Sequence, residues 1–137
     1  LFCLFSLTER SNTLIETYSH GMKQKLVFSA ALLHDPEVLI MDEPTVGLDP
    51  QSAKLVKDIM RELANKGKTI FMSTHILEIA EKMCSRVGII NKGTSIAEET
   101  INDLREKTHD EAGDLEKLFI ELTGGEDTKE LIKSLSS

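Results

Sequence analysis

Aromatic residues, prolines and cysteines are scarce in this 137-residue sequence, which has no tryptophan, one tyrosine, three prolines and two cysteines. Cys3 and Cys84 lie far apart, with no Cys-x-x-Cys pair and no histidine companion. That spacing disfavours a zinc site and a disulfide framework, both of which need clustered or paired cysteines. The cysteine usage is typical of a protein in a reducing compartment.

Long apolar runs and an excess of basic charge are missing as well. No apolar stretch approaches the roughly 20 residues that span a bilayer, and the opening LFCLFSL lacks the basic lead-in and cleavage site of a signal peptide. The 23 acidic and 16 basic residues give a formal net charge of -7 and a pI near 5.1. A nucleic-acid partner is therefore not expected, because basic surfaces usually bind such partners.

The hydrophobic content of 40% is that of a globular domain with a core. The apolar residues among positions 1–7 begin without a methionine or a polar lead, as though cut from inside a helix. We therefore expect the chain to be a fragment, truncated at its N-terminus.

Helical and strand-like patterns alternate along the chain. The alternation predicts an α/β fold with a mostly parallel sheet and flanking helices. The expected elements, in chain order, are helix 22–33, strand 38–41, a helix from Asp49 to Gly67, strand 69–73, helix 76–83 and a hairpin of 86–91 with 94–97.

Apolar spacing and capping signals add detail to these elements. Strand 38–41 is apolar throughout and is expected to be fully buried, and strand 69–73 (TIFMS) is expected to be a second buried strand. Asp49 is expected to cap the second helix, with Pro50 at its first position. The apolar face of the first helix is expected to comprise Met22, Leu26, Ala30 and Leu33.

The chain changes character beyond Thr100. A capping box at Thr100 and Asp103 and the helical spacing over 115–122 flank the charged stretch KTHDEAGD. We expect a domain over 1–99 and a short helical tail over 100–137.

Acidic residues and a histidine follow the two predicted parallel strands. Asp42 and Glu43 come after strand 38–41, and His75 follows strand 69–73; ligands of open α/β sheets gather at such strand ends. Four apolar residues before Asp-Glu match the Walker B pattern of P-loop nucleotide hydrolases, whose aspartate helps to hold magnesium. The neighbouring glutamate can act as a general base toward water. The alternative is that both carboxylates only cap the turn at Pro44.

The segment YSHGMKQKL, residues 18–26, leads from a small loop into a helix. Lys23 and Lys25 are expected in the first turn of that helix, where they oppose its dipole, which favours acids there. Exposed N–H groups, a serine hydroxyl and two cations suit an anion such as phosphate. The alternative is two solvated lysines.

Taken in order, these residues resemble the ATP-binding cassette family. The segment 18–22 is similar to its signature loop, usually LSGGQ, and 38–43 to its Walker B strand with the catalytic glutamate. Gly47-Leu48-Asp49 resembles the D-loop, and Ser73-Thr74-His75 resembles the switch-histidine segment. The resemblance covers residues 18–75.

The resemblance implies ATP and Mg2+ as ligands, in a site shared between two subunits. Ser19 and Gly21 would contact the terminal phosphate of an ATP bound to the opposite subunit. Asp42 would hold magnesium, Glu43 would orient the lytic water, and Asp49 would contact the partner.

Three further site residues follow from the same resemblance. His75 would reach the γ-phosphate. His20 replaces the usual first glycine of the signature and adds a possible donor near phosphate. Met22 replaces the usual glutamine and cannot donate the hydrogen bonds of an amide.

The phosphate-binding motif GxxxxGK[ST] does not occur in the sequence. The triplet Gly67-Lys68-Thr69 lacks the required earlier glycine, because Glu62 stands there, and it follows a helix rather than a strand. The family's P-loop, adenine-stacking aromatic and glutamine loop precede the signature. We therefore expect the chain alone to be inactive as an ATPase.

The segment 115–124 is similar to the ending of cassette subunits in simple bacterial exporters. This similarity implies two ATP-binding subunits on the cytoplasmic face of the membrane, beneath separate transmembrane permease subunits. A non-transport ATPase of the same class, in translation or chromosome maintenance, and a non-hydrolysing regulatory cassette are the alternatives.

Overall fold

A computed structural model of the chain describes residues 3, 5–107 and 115–123. The chain divides into two compact units, Leu1–His75 and Ile76–Ser137. Two short 3-10 helices, Thr8–Arg10 and Ile15–Thr17, come first. The elements that follow are α1 (His20–Leu32), β1 (Val38–Asp42), α2 (Pro50–Asn65), β2 (Thr69–Ser73), α3 (Leu77–Met83), β3 (Arg86–Asn91), β4 (Thr94–Thr100), α4 (Ile101–Lys107) and α5 (Leu115–Thr123).

The first unit is built around two parallel strands. β1 pairs with β2 in parallel, with Val38 opposite Thr69 and Asp42 opposite Ser73. Since α2 connects them, the three elements form a βαβ unit, the building block of parallel sheets. The predicted α/β class with a parallel sheet is confirmed.

The prediction that both strands are fully buried is wrong. Leu39 is buried, but Ile40 is 74% exposed and Phe71 is 64% exposed. Successive strand residues point to opposite faces, and α2 contacts the sheet through β2. Among the described residues of this unit, nothing buries the face that carries Ile40 and Phe71.

The first helix begins two residues earlier than predicted, at His20, with Ser19 as its N-cap. The predicted apolar face is also wrong, because Leu33 is 69% exposed whereas Phe28 is buried. The Phe28 ring meets Phe5 edge to face, with centroids 5.8 Å apart. Apolar residues surround most of this helix, so their spacing did not single out the buried side.

The second helix matches its prediction closely. Asp49 is its N-cap and accepts a hydrogen bond from the Ser52 N–H at 2.9 Å. Val56 and Met60 are buried. Gly67, at φ +86°, follows the helix in the left-handed conformation that ends many helices.

The second unit holds the predicted hairpin, β3 and β4, which pair antiparallel. Lys92 and Gly93 both have positive φ, as the favoured two-residue hairpin turns require. Thr100 Oγ1 accepts the Asp103 N–H at 3.1 Å, which confirms the predicted cap of α4. Ile101 and Leu115 form a small buried cluster with α3 and β3.

Residues 108–114 of the predicted charged stretch and 124–137 of the predicted tail lie outside the described residues. The domain boundary at 99/100 stays a prediction. None of the helices among the described residues combines the length and the hydrophobicity that a membrane span requires.

Candidate functional site

The carboxyl ends of β1 and β2 bring Asp42 and Ser73 side by side. The two residues pair in the parallel register, and the Ser73 hydroxyl donates a hydrogen bond to Asp42 Oδ1. Asp42 is exposed at this strand end. An exposed carboxylate with a neighbouring hydroxyl offers oxygen atoms to a cation.

Glu43, the next residue, contacts the two residues that follow β2. Its Oε1 accepts the His75 N–H at 2.8 Å and lies 2.6 Å from His75 Nδ1. Its Oε2 accepts the Thr74 hydroxyl at 3.1 Å. The side chain of Glu43 is 28% exposed and that of His75 is 74% exposed. The glutamate is thus fixed in orientation, while the imidazole faces solvent.

The backbone of Glu43 has the left-handed conformation, with φ +45°. A non-glycine residue adopts it at some cost, so the surrounding contacts must hold it there. The Glu43 N–H donates to the Ser73 carbonyl at 3.1 Å, and the Glu43 carbonyl accepts from Gln24 Nε2 at 3.4 Å. Contacts on both sides of the residue therefore aim its side chain at Thr74 and His75.

These contacts also affect the ionisation of Glu43. Partial burial raises its pKa, but the hydrogen bonds from the His75 side chain, the His75 N–H and Thr74 together hold the pKa below its ordinary value. Glu43 is therefore a carboxylate at neutral pH. A carboxylate can accept a proton from water, whereas a carboxylic acid cannot.

The N-terminus of α1 carries the four predicted signature residues. Ser19 Oγ accepts the Met22 N–H at 3.3 Å, which leaves the hydroxyl proton available to donate. A Cβ on Gly21 would lie 2.8 Å from the Gly47 carbonyl oxygen, and a Cβ on Gly47 would lie 2.3 Å from His20 Cδ2. His20 and Gly21 are therefore packed against the loop that follows β1.

The carboxylate of Asp49 forms hydrogen bonds and an ion pair within its own chain. It accepts the Ser52 hydroxyl at 2.6 Å and pairs with Lys25 Nζ at 3.1 Å. The Ser52 hydrogen bonds, followed by Lys25, hold the pKa of Asp49 far below its ordinary value. Lys25 is 16% exposed and lies in the second turn of α1, so it is not the first-turn cation that the sequence suggested.

The structure therefore brings Asp42, Glu43 and His75 together at the carboxyl ends of β1 and β2. It places His20 and Gly21 against Gly47, and joins Asp49 to α1 through Lys25. Ser19 and Met22 take part in the N-cap of α1 and, in the contacts described above, do not touch the strand-end carboxylates.

Sequence reasoning missed some residues of this arrangement. Ser73 and Thr74 were part of a matched segment, but neither was assigned to the site. Gln24 was not singled out at all. Its position three residues after Gly21, on the same side of a helix, was the available signal.

The side chains present fit a magnesium nucleotide. Among residues 3, 5–107 and 115–123, no group of three His, Cys, Asp or Glu side chains could hold a metal ion. Mg2+ commonly takes only one or two protein carboxylates, and phosphate oxygens and water complete its shell. Asp42 beside Ser73 meets that requirement, and the α1 N-terminus with the Ser19 hydroxyl suits phosphate.

Comparison with known proteins gives a family match over most of the chain. A family model described as "AAA domain, putative AbiEii toxin, Type IV TA system" matches residues 4–81. The linearmycin resistance ATP-binding protein of Bacillus subtilis (strain 168) is 48% identical over 98 residues, which cover 72% of this chain and 32% of that protein. A fluoroquinolones export ATP-binding protein of Mycobacterium tuberculosis is 39% identical over 105 residues, covering 77% of this chain and 35% of that protein.

Solved structures agree with these relatives. The ATP-binding subunit of an ABC transporter superimposes with a TM-score of 0.82 at 36% identity, over 88% of this chain and 50% of that one. A dimeric, post-hydrolysis ATP-binding cassette bound to ADP and Pi superimposes with a TM-score of 0.64 at 25% identity, over 72% of this chain and 43% of that one. The chain spans about a third of the length of the curated relatives it matches.

Proposed function

We propose that this chain, which belongs to the AAA domain family and is part of an ATP-binding cassette, works in a bacterial exporter. In that exporter it would supply the hydrolytic residues of an ATP-binding subunit. The observation that carries this proposal is Glu43, held by Thr74 and His75 directly beside Asp42. A general base needs this combination of ionised state and fixed direction. The names of the relatives support export, since one is a linearmycin resistance ATP-binding protein and the other a fluoroquinolones export ATP-binding protein.

Each site residue at the carboxyl ends of β1 and β2 has a role in this proposal. Asp42 would hold Mg2+, with Ser73 orienting its carboxylate. Glu43 would orient the attacking water and accept its proton. His75 keeps one ring nitrogen against Glu43, and its exposed ring would donate to the terminal phosphate. Magnesium ATP, when bound, would supply the electrophilic terminal phosphorus and ADP as the leaving group.

A second copy of the cassette would complete the site. Ser19 and Gly21 would contact the terminal phosphate of the ATP bound to the opposite subunit, with His20 and Met22 beside them. Asp49 would contact the partner from the adjoining loop. The dimeric state of the ADP-bound structural neighbour supports this arrangement.

The P-loop and the membrane-spanning part of the exporter would come from other polypeptide segments. We propose that the P-loop lies in sequence preceding the signature in the complete protein, and that the 137 residues alone hydrolyse no ATP. Closure of two such subunits on ATP would move transmembrane permease subunits. The assembly would then sit on the cytoplasmic face of the cell membrane.

The test is Glu43→Gln in the longest reading frame that contains this chain. Turnover should fall by roughly 100-fold or more, because general-base catalysis is lost, while equilibrium ATP binding is retained. Glu37→Gln is a matched control, since Glu37 precedes β1 and pairs with Lys68 at 3.0 Å. Unchanged turnover in Glu43→Gln contradicts the proposed role of Glu43.

The exporter assignment has its own test in the neighbouring genes. Adjacent reading frames should encode proteins with several apolar stretches of about 20 residues, the length that crosses a bilayer. Their absence, together with ATP turnover by the complete protein, would favour a non-transport ATPase of the same class.

A further inference from the structure

The N-terminal half of α1 and the loop 43–49 meet along one side of the helix. Gln24 and Lys25 follow Gly21 by three and four residues, so both neighbour Gly21 on the helix surface. Gly21 contacts the Gly47 carbonyl, Gln24 donates to the Glu43 carbonyl, and Lys25 pairs with Asp49. One helix face thus contacts the loop at its beginning, near its end and at its final residue.

We propose that Gln24 and Lys25 are positioning residues for hydrolysis, which fix loop 43–49 so that Glu43 keeps its orientation toward the attacking water. This inference rests on the proposed ATPase function. Neither side chain needs to touch the nucleotide. Each acts through a residue of the loop, Gln24 through Glu43 and Lys25 through Asp49.

The contact from Gln24 matters because of the backbone conformation of Glu43. That residue has φ +45°, and a left-handed non-glycine residue persists only where its surroundings hold it. On its N-terminal side the Ser73 carbonyl accepts the Glu43 N–H. On its C-terminal side its carbonyl accepts two hydrogen bonds, one from the Val46 N–H within the loop at 3.1 Å and one from the Gln24 amide of α1 at 3.4 Å. Because Val46 belongs to the loop itself, the Gln24 hydrogen bond is the one that fixes this peptide relative to α1. Without it, the loop can shift against α1 and redirect the Glu43 carboxylate.

The contact from Lys25 fixes the other end of the loop. Its side chain is 16% exposed, and Nζ lies 3.1 Å from Asp49 Oδ2. The other Asp49 oxygen accepts the Ser52 N–H. Asp49 therefore joins α1 to the start of α2, with loop 43–49 held between Glu43 and that junction.

The experiment measures kcat and KM for ATP in the longest reading frame that contains this chain. Gln24→Met removes the donor at similar side-chain length, and Lys25→Met removes the cation. Each should lower kcat by about tenfold or more, with KM changed by less than about twofold, since a misplaced catalytic group costs rate rather than ground-state binding. Lys25→Arg, which keeps the cation, should restore most of the rate.

Two controls separate positioning from general damage. Lys54→Met also removes a lysine–aspartate pair, the exposed one with Asp58, and should leave kcat unchanged. Gln24→Met added to Glu43→Gln should not lower the residual rate further, because Gln24 acts only through Glu43. Melting temperatures identify any variant that fails to fold; Gln24→Met then tests the inference if Lys25→Met does not fold.

The outcomes distinguish this inference from the function on which it rests. A complete protein that hydrolyses no ATP contradicts both. Turnover that survives Glu43→Gln contradicts the proposed role of Glu43 and, with it, the positioning role. Turnover that is lost in Glu43→Gln but intact in Gln24→Met and Lys25→Met overturns the positioning role alone, as does a further additive loss in the double variant.

Discussion

Gly21 and Gly47 are packed so closely that a Cβ on Gly21 would lie 2.8 Å from the Gly47 carbonyl oxygen. Both positions belong to motifs recognised in the sequence, but nothing in the sequence stated that they touch. The contact brings the start of α1 against the loop after β1. Glycine is used here because it lets two backbones approach each other, as it does in other tight contacts.

Replacing Gly21 by alanine tests this packing. Alanine favours helices over glycine by up to about 1 kcal/mol, so without the contact the variant would be more stable. We expect instead a loss of about 1–3 kcal/mol, typical of overpacking against a group that cannot move aside, measured by urea denaturation.

Gly67→Ala is the control for Gly21→Ala. A Cβ there meets nothing within 4 Å, and φ is +86°, so the cost should be only the left-handed strain of roughly 1–2 kcal/mol. A Gly21→Ala variant as stable as the unsubstituted protein would contradict the close approach.

The ionisation of Glu43 should depend on His75. The folded pKa of Glu43 lies below the ordinary value of 4.5, so its ionisation contributes stability above that value, and the contribution is lost as pH falls through the folded pKa. In His75→Ala the side-chain hydrogen bond disappears, and the Glu43 pKa should rise toward 4.5. Carboxyl NMR titration measures the midpoint. His34→Ala should leave it unchanged, and an unmoved midpoint in His75→Ala contradicts the contact.

Substitutions of Asp42 and Ser73 should change the magnesium dependence of ATPase activity to different extents. Asp42→Asn in the complete protein should raise the Mg2+ concentration for half-maximal ATPase activity well above that of the unsubstituted protein. Ser73→Ala should raise it by about tenfold, because Ser73 orients the ligand without being the main one. Glu37→Gln should leave it unchanged. Equal magnesium dependence in all variants would exclude Asp42 as the magnesium ligand.

The cap of α2 should be separable from the charge of Asp49. Asp49→Ala removes the acceptor for the Ser52 N–H and hydroxyl and should lower the melting temperature by a few degrees. Asp49→Asn keeps an oxygen acceptor and loses the charge that pairs with Lys25, so the loss should be smaller. Equal losses in the two variants would show that the ion pair, not the cap, stabilises this junction.

Local signals in the sequence predicted the elements well. The bounds of β2 and the start of α2 at Asp49 and Pro50 follow from apolar runs and capping residues that act over a few positions. The same signals failed for burial. Phe71 and Ile40 look like core residues, but their exposure depends on which elements lie over each face of the sheet.

The sequence by itself determined the family resemblance, the parallel strands and the candidates Asp42, Glu43 and His75, because each follows from short patterns of neighbouring residues. Only the tertiary structure decided that Glu43 contacts His75 across 32 positions and that Lys25 pairs with Asp49 across 24. Those contacts depend on the register of β1 against β2 and on how α1 packs beside them. Such distant relationships have no local pattern, since they arise from packing rather than from spacing along the chain.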